Sequence, residues 1–134
     1  MISSAPSRRL RFSLRTLLVL VTVLCMWLAW RGYTTRMREA LQARHNAFGQ
    51  ALDDYQYFDA YPFMTPAFRQ KYSADDFYDQ FWNEGRIYPF GSNVDISTNP
   101  FSSYGYVGFH WLTLGSYAQY KWELIDGVWY YTGD

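Results

Sequence analysis

A chain of 134 residues, 22% of them aromatic, has room for one modest domain beside any membrane or targeting segment. Its formal net charge of zero conceals a division: residues 1–44 carry eight arginines against Glu39 alone, and residues 45–134 carry four bases against eleven acids. Phosphate backbones repel the acidic part, which excludes nucleic acid as an expected partner, whereas anionic lipid headgroups attract the arginine-rich part.

Residues 1–13 form a basic tail, followed by a segment, 14–33, that reads as a transmembrane signal-anchor helix. Thr16 to Trp30 contains no charged residue. A helix of that length rises roughly 22 Å, short of a hydrocarbon core of about 30 Å. The flanks supply the difference: Leu17, Leu20 and Leu24 lie in the span, Arg15 snorkels to the headgroups, and Trp27, Trp30 and Tyr33 form an interfacial belt. A cleaved signal peptide is the alternative, but no pair of small residues follows the apolar run at a cleavage spacing. Cys25 is the single cysteine and lies inside the span, so an intrachain disulfide is excluded. Arginines balance across the span; a short basic tail kept inside places the acidic domain outside the inner (cytoplasmic) membrane.

Residues 34–134 form the domain. Met37, Leu41, Phe48, Leu52 and Tyr55 recur at helical spacing and predict a long amphipathic helix that ends near Tyr61, before Pro62. Thr65 ahead of Pro66 predicts a capped short helix to about Tyr72, and Ser73 with Asp76 predicts a capping box for another, closed by Gly85. From Asn93 onward the pattern becomes strands. Val94 and Ile96 alternate with polar neighbours until Asn99-Pro100, and Gly115-Ser116 and Asp126-Gly127 suit two-residue hairpin turns. Those turns would pair Phe109 with Trp122, Val107 with Leu124, Trp111 with Tyr120 and Trp122 with Tyr131. One face is then apolar, and the other carries Tyr106, His110, Lys121, Ile125, Val128 and Tyr130. Tyr106, Ile125, Val128 and Tyr130 are expected to cluster on this outer face and to support a homodimer.

The expected fold is therefore α+β: a transmembrane helix, then a long helix and two short helices packed on one face of a curved antiparallel sheet of about four strands. From about Ala40 to Thr132 this order resembles the nuclear transport factor 2-like (cystatin-like) superfamily. The resemblance rests on Asp59, Ala60, Tyr61 ahead of Thr65 to Arg69, on Ser73 to Phe77, and on the hairpin from Trp122 to Tyr130. The stretch Arg11 to Leu17 resembles a recurrent N-terminal anchor of bacterial membrane proteins.

In such folds acid and base groups line a cavity between the first helix and the inner sheet face, which implies Tyr55, Asp59, Trp111, Tyr120, Trp122 and Tyr131 as its lining. Asp59, beside Tyr55, is the expected base if the domain is an enzyme of isomerase or dehydratase type acting on an apolar small molecule. A solid aromatic core would instead fit a non-catalytic binding or protein-interaction module of the cell envelope, the reading favoured here, with its protein or small-molecule ligand left open. Envelope glycan binding is a further alternative, with Ile87, Tyr88 and Phe90 of the 86–92 loop rimming a pocket. His45 is expected on the solvated side of the first helix, and His110 on the outer sheet face opposite Lys121. No metal is expected: the histidines lack companion ligands, and Asp75, Asp76 and Asp79 lack the glycine-bearing calcium loop. No phosphate-cradling glycine loop, serine elbow or dinucleotide fingerprint occurs, so no cofactor is expected.

Overall fold

The computed structural model describes residues 13–83, 94–110 and 117–133, apart from the side chains of residues 80–83, 94, 110 and 117. Two compact units divide at Gly32 and Tyr33. Helix α1 runs over Leu14–Asp53. In the first unit Ser13 caps it, its hydroxyl accepting from the Thr16 amide at 3.3 Å. Leu17, Leu20, Leu24, Trp27 and Trp30 are all exposed, and the helix is long and apolar enough to cross a membrane. In the middle of the run the Thr22 hydroxyl is satisfied internally, donating to the Leu18 carbonyl at 2.9 Å. At the end of the run the Arg31 guanidinium lies 5.5 Å from the Trp27 ring, as in an interfacial belt.

In the second unit α1 buries Met37, Leu41, His45, Phe48, Ala51 and Leu52. It stops at Asp53, well short of the expected end near Tyr61. Tyr55 turns left-handed (φ 59°), and the Tyr55 and Gln56 amides donate to the Leu52 and Ala51 carbonyls at 3.2 and 2.8 Å. This is a Schellman closure with tyrosine where glycine is usual, so no glycine marked it in the sequence. Short helices follow: α2 (Tyr57–Ala60), a 3₁₀ turn (Tyr61–Phe63), α3 (Pro66–Lys71) and α4 (Ala74–Asn83). Both expected caps form. Thr65 accepts from the Phe68 amide at 3.2 Å, and Ser73 and Asp76 bond reciprocally, at 2.8 Å from the Ser73 amide and 3.1 Å from the Asp76 amide. Gly85 lies outside the described residues.

Four strands, β1 (Val94–Thr98), β2 (Tyr104–His110), β3 (Tyr117–Ile125) and β4 (Val128–Tyr131), form an antiparallel sheet in the order β1-β2-β3-β4. The chain is thus α+β, with helices ahead of an open sheet. At the last hairpin Asp126 and Gly127 both have positive φ, 50° and 80°; Trp122 faces Tyr131 as expected, and Leu124 faces Trp129.

The β2–β3 register is corrected. Val107 faces Tyr120, not Leu124; Gly105, not Phe109, faces Trp122; and His110 faces Tyr117, not Lys121. The Gly115-Ser116 turn and the expected partner Trp111 lie outside the described residues. Size matching accounts for the shift: Gly105 sits opposite Trp122 and Ala118 opposite Phe109, so each bulky ring meets a small partner. A Cβ on Gly105 would stand 2.7 Å from Leu41 Cδ2 and 3.1 Å from the Trp129 ring, so helix and sheet close over the vacancy. The slip is by an even number of residues, which preserves the faces. Gly105, Val107, Trp122, Trp129 and Tyr131 are buried, and Tyr106 and Val128 are exposed. The outer cluster nevertheless divides. Tyr106 now faces Lys121, four residues along β3 from Ile125, a separation of roughly 13 Å.

Candidate functional site

Three of the residues expected to line a cavity come together. Trp122 and Tyr131 are buried with ring centroids 5.7 Å apart, and the half-buried Tyr120 ring lies 6.1 Å from Tyr131. Burial pushes the Tyr120 hydroxyl above its ordinary pKa. They are packed rather than arranged around a space: Phe48 stands 5.8 Å edge-on to Trp122, 5.5 Å from Tyr131 and 5.8 Å from Phe63. Leu41, Val107 and Trp129 complete the layer.

The two expected catalytic side chains are not with them. Tyr55 is 69% exposed, and Asp59 lies on the exposed face of α2. The early end of α1 takes both off the inner stripe, because its phase stops at Leu52. Trp111 lies outside the described residues, as does the 86–92 loop.

His45 is the polar group misplaced by sequence reasoning. It is buried (2% exposed), its ring edge-on to Trp122 at 6.3 Å. Leu41, His45, Phe48 and Leu52 follow one helical stripe, and that spacing was the available signal; polarity alone suggested solvent. Desolvation lowers its pKa from 6.5 to about 4, so it is neutral at pH 7. His45 and Thr65 are the buried polar residues of the described part, and Thr65 is occupied as a cap. The Trp122 Nε1–H is also buried, with no acceptor among the described residues. Among the described residues no carboxylate is buried with these groups. No three metal-ligating side chains converge among the described residues.

The surface carries more. At the outer edge of β4 the Arg44 Nε donates to the Trp129 carbonyl at 3.2 Å while its guanidinium lies 4.0 Å over the Phe63 ring. The Thr65 amide donates to the Tyr131 carbonyl at 3.0 Å, so both edge carbonyls are covered. Between α1 and β1 runs a groove of about 230 Å³ lined by Thr35, Arg38, Glu39, Gln42 and Ile96.

In the second unit, exposed aromatic rings gather where α2 and α4 meet, just past the end of α1. Tyr55, Phe58 and Tyr78 are 69%, 61% and 36% exposed. Tyr57 stands 6.4 Å from Tyr55 and 5.2 Å edge-on to Tyr78, and Phe58 lies parallel to Tyr78 at 6.4 Å. Partial burial, then the neighbouring Tyr55 and Tyr78 hydroxyls, raise the Tyr57 pKa. Tyr57 also packs against the core, while Tyr55 and Phe58 remain largely exposed.

The chain matches no protein-family model, no curated protein and no solved structure with which it was compared.

Proposed function

We propose that this chain is a single-pass membrane protein whose domain is a non-catalytic binding or protein-interaction module of the cell envelope. The observation that carries this reading is the aromatic packing between α1 and the sheet among the described residues: Phe48, Trp122 and Tyr131 pack against one another on the inner face, and Asp59 is exposed outside it. The exposed rings of Tyr55, Phe58 and Tyr78 supply a surface for contact. A long helix, short helices and a four-stranded meander in that order support a nuclear transport factor 2-like assignment. The charge division supports a basic tail in the cytoplasm and an acidic domain outside the inner membrane.

Photo-crosslinking in cells tests the interaction reading. A photoreactive residue placed in turn at Phe58, Tyr106 and Val128 of the full chain gives a discrete adduct from at least one position; no adduct from any of them overturns it. A reporter fused after Asp134 that is active only outside the cytoplasm tests the orientation.

A further inference from the structure

Building on the single-pass membrane reading, we infer that the groove between α1 and β1 holds the headgroup of an ethanolamine phospholipid, Arg38 binding its phosphate and Glu39 its ammonium. The groove, of about 230 Å³, is lined by Thr35, Arg38, Glu39 and Gln42 of α1 and by Ile96 of β1. The four α1 positions follow the i, i+3, i+4, i+7 spacing of one helix face, and all four are exposed. The core stripe of α1 passes beside them through Met37 and Leu41. Arg38, Glu39 and Gln42 make no hydrogen bond or ion pair with any described residue, so a cation and an anion share the groove without neutralising each other. Asp95, next to Ile96 in β1, belongs to the other face of that strand.

Position selects the occupant. α1 is continuous from Leu14 to Asp53, and Thr35 follows Trp30 of the interfacial belt by five residues, a rise of roughly 8 Å. The headgroup layer beyond the hydrocarbon is about 5–8 Å deep on each side of a bilayer. Helical side chains lean toward the N-terminal end, so Arg38 and Glu39 reach back over the turn at Thr34 and Thr35.

A phosphoethanolamine group carries both charges that the groove leaves unmatched. The Arg38 guanidinium meets the phosphate oxygens, the Glu39 carboxylate accepts from the ammonium, and the methylenes between them cover Ile96. A choline headgroup has no N–H to donate, and a glycerol headgroup brings no cation for Glu39, the single acid of residues 1–44. At about 230 Å³ the groove is smaller than the roughly 300–1,000 Å³ of pockets that enclose a drug-sized ligand, which suits a headgroup tethered by its acyl chains.

The test is native mass spectrometry of the full chain in neutral detergent, offered equal amounts of phosphatidylethanolamine, phosphatidylcholine and phosphatidylglycerol with identical acyl chains. The ethanolamine lipid is retained roughly tenfold over the other two, the size of one charge-assisted hydrogen bond. Glu39→Gln removes this preference, Arg38→Gln lowers retention of all three lipids, and Arg36→Gln, outside the groove, changes neither; all three variants keep the parent's urea midpoint. Glycerophosphoethanolamine, the same headgroup without acyl chains, does not displace the lipid at equal concentration. Equal retention of the three lipids, a preference that survives Glu39→Gln, or an Arg36→Gln loss matching that of Arg38→Gln overturns the inference. Displacement by the soluble headgroup overturns the lipid as its source. Release of the parent protein by alkaline carbonate removes the membrane reading itself, whereas membrane retention without a headgroup preference removes this site alone.

Discussion

Acidification should unfold this domain through His45, and the size of the effect can be worked from its burial. The side chain is 2% exposed and its pKa falls from 6.5 to about 4. The unfolded chain therefore binds a proton more tightly than the folded one, so stability is fully present above pH 6.5 and declines as pH falls toward 4. A shift of this size corresponds to a loss of about 1 kcal/mol at pH 6, about 2 kcal/mol at pH 5 and about 3 kcal/mol at pH 4. Urea titrations of the full chain in neutral detergent between pH 7.5 and pH 4.5, followed by tryptophan fluorescence, measure the loss. The Trp122 ring beside His45 makes the signal local. His45→Leu removes the ionisable group at similar volume and should flatten the curve over this range. Asp76, whose pKa is lowered by its bonds to the Ser73 amide and hydroxyl, loses its contribution only at more acid pH, so the two windows separate. A His45→Leu protein that loses as much stability between pH 7 and pH 5 as the parent would refute the assignment.

Three further outcomes follow from the packing, the backbone and the anchor. Gly105→Ala forces a Cβ to within 2.7 Å of Leu41 Cδ2 and should lower stability by about 1–3 kcal/mol in urea titrations. Combined with Leu41→Val the loss should be less than additive, since the shorter side chain yields the space. Tyr55→Gly should raise the unfolding free energy from urea titrations by about 0.5–1 kcal/mol, because the left-handed φ of 59° carries no penalty for glycine; a lowered free energy would show that the tyrosine ring contributes more than its backbone costs. Leu20→Arg places a charge inside the apolar run at a cost of about 2.5–3.5 kcal/mol, and alkaline carbonate extraction should then release protein that is otherwise retained in the membrane pellet.

Local patterns in the chain were enough for the long apolar helix, the helix caps at Thr65 and Ser73, the Asp126-Gly127 hairpin and the inward set of the sheet. Each depends on contacts within a few residues or on a period that repeats along one element. The candidate site was less legible. Trp122 and Tyr131 were correctly placed on the inner face, but whether that face bordered a cavity depended on Phe48 arriving from a helix distant in sequence. Tyr55 and Asp59 were misplaced because α1 closes on a tyrosine, and nothing in Asp53-Asp54-Tyr55 announces an end.

Periodicity says which side of an element is oily, and it says so here for His45 as clearly as for Phe48, once polarity is set aside. It is blind to how far a strand slides by an even number of residues or to which face a helix end turns toward solvent. Those choices were made by volume: Gly105 beneath Leu41 and opposite Trp122 fits the β2–β3 register, and at Gly105 helix and sheet come too close for an added Cβ. Size complementarity is a property of pairs brought together by folding, so it came into view with the assembled core.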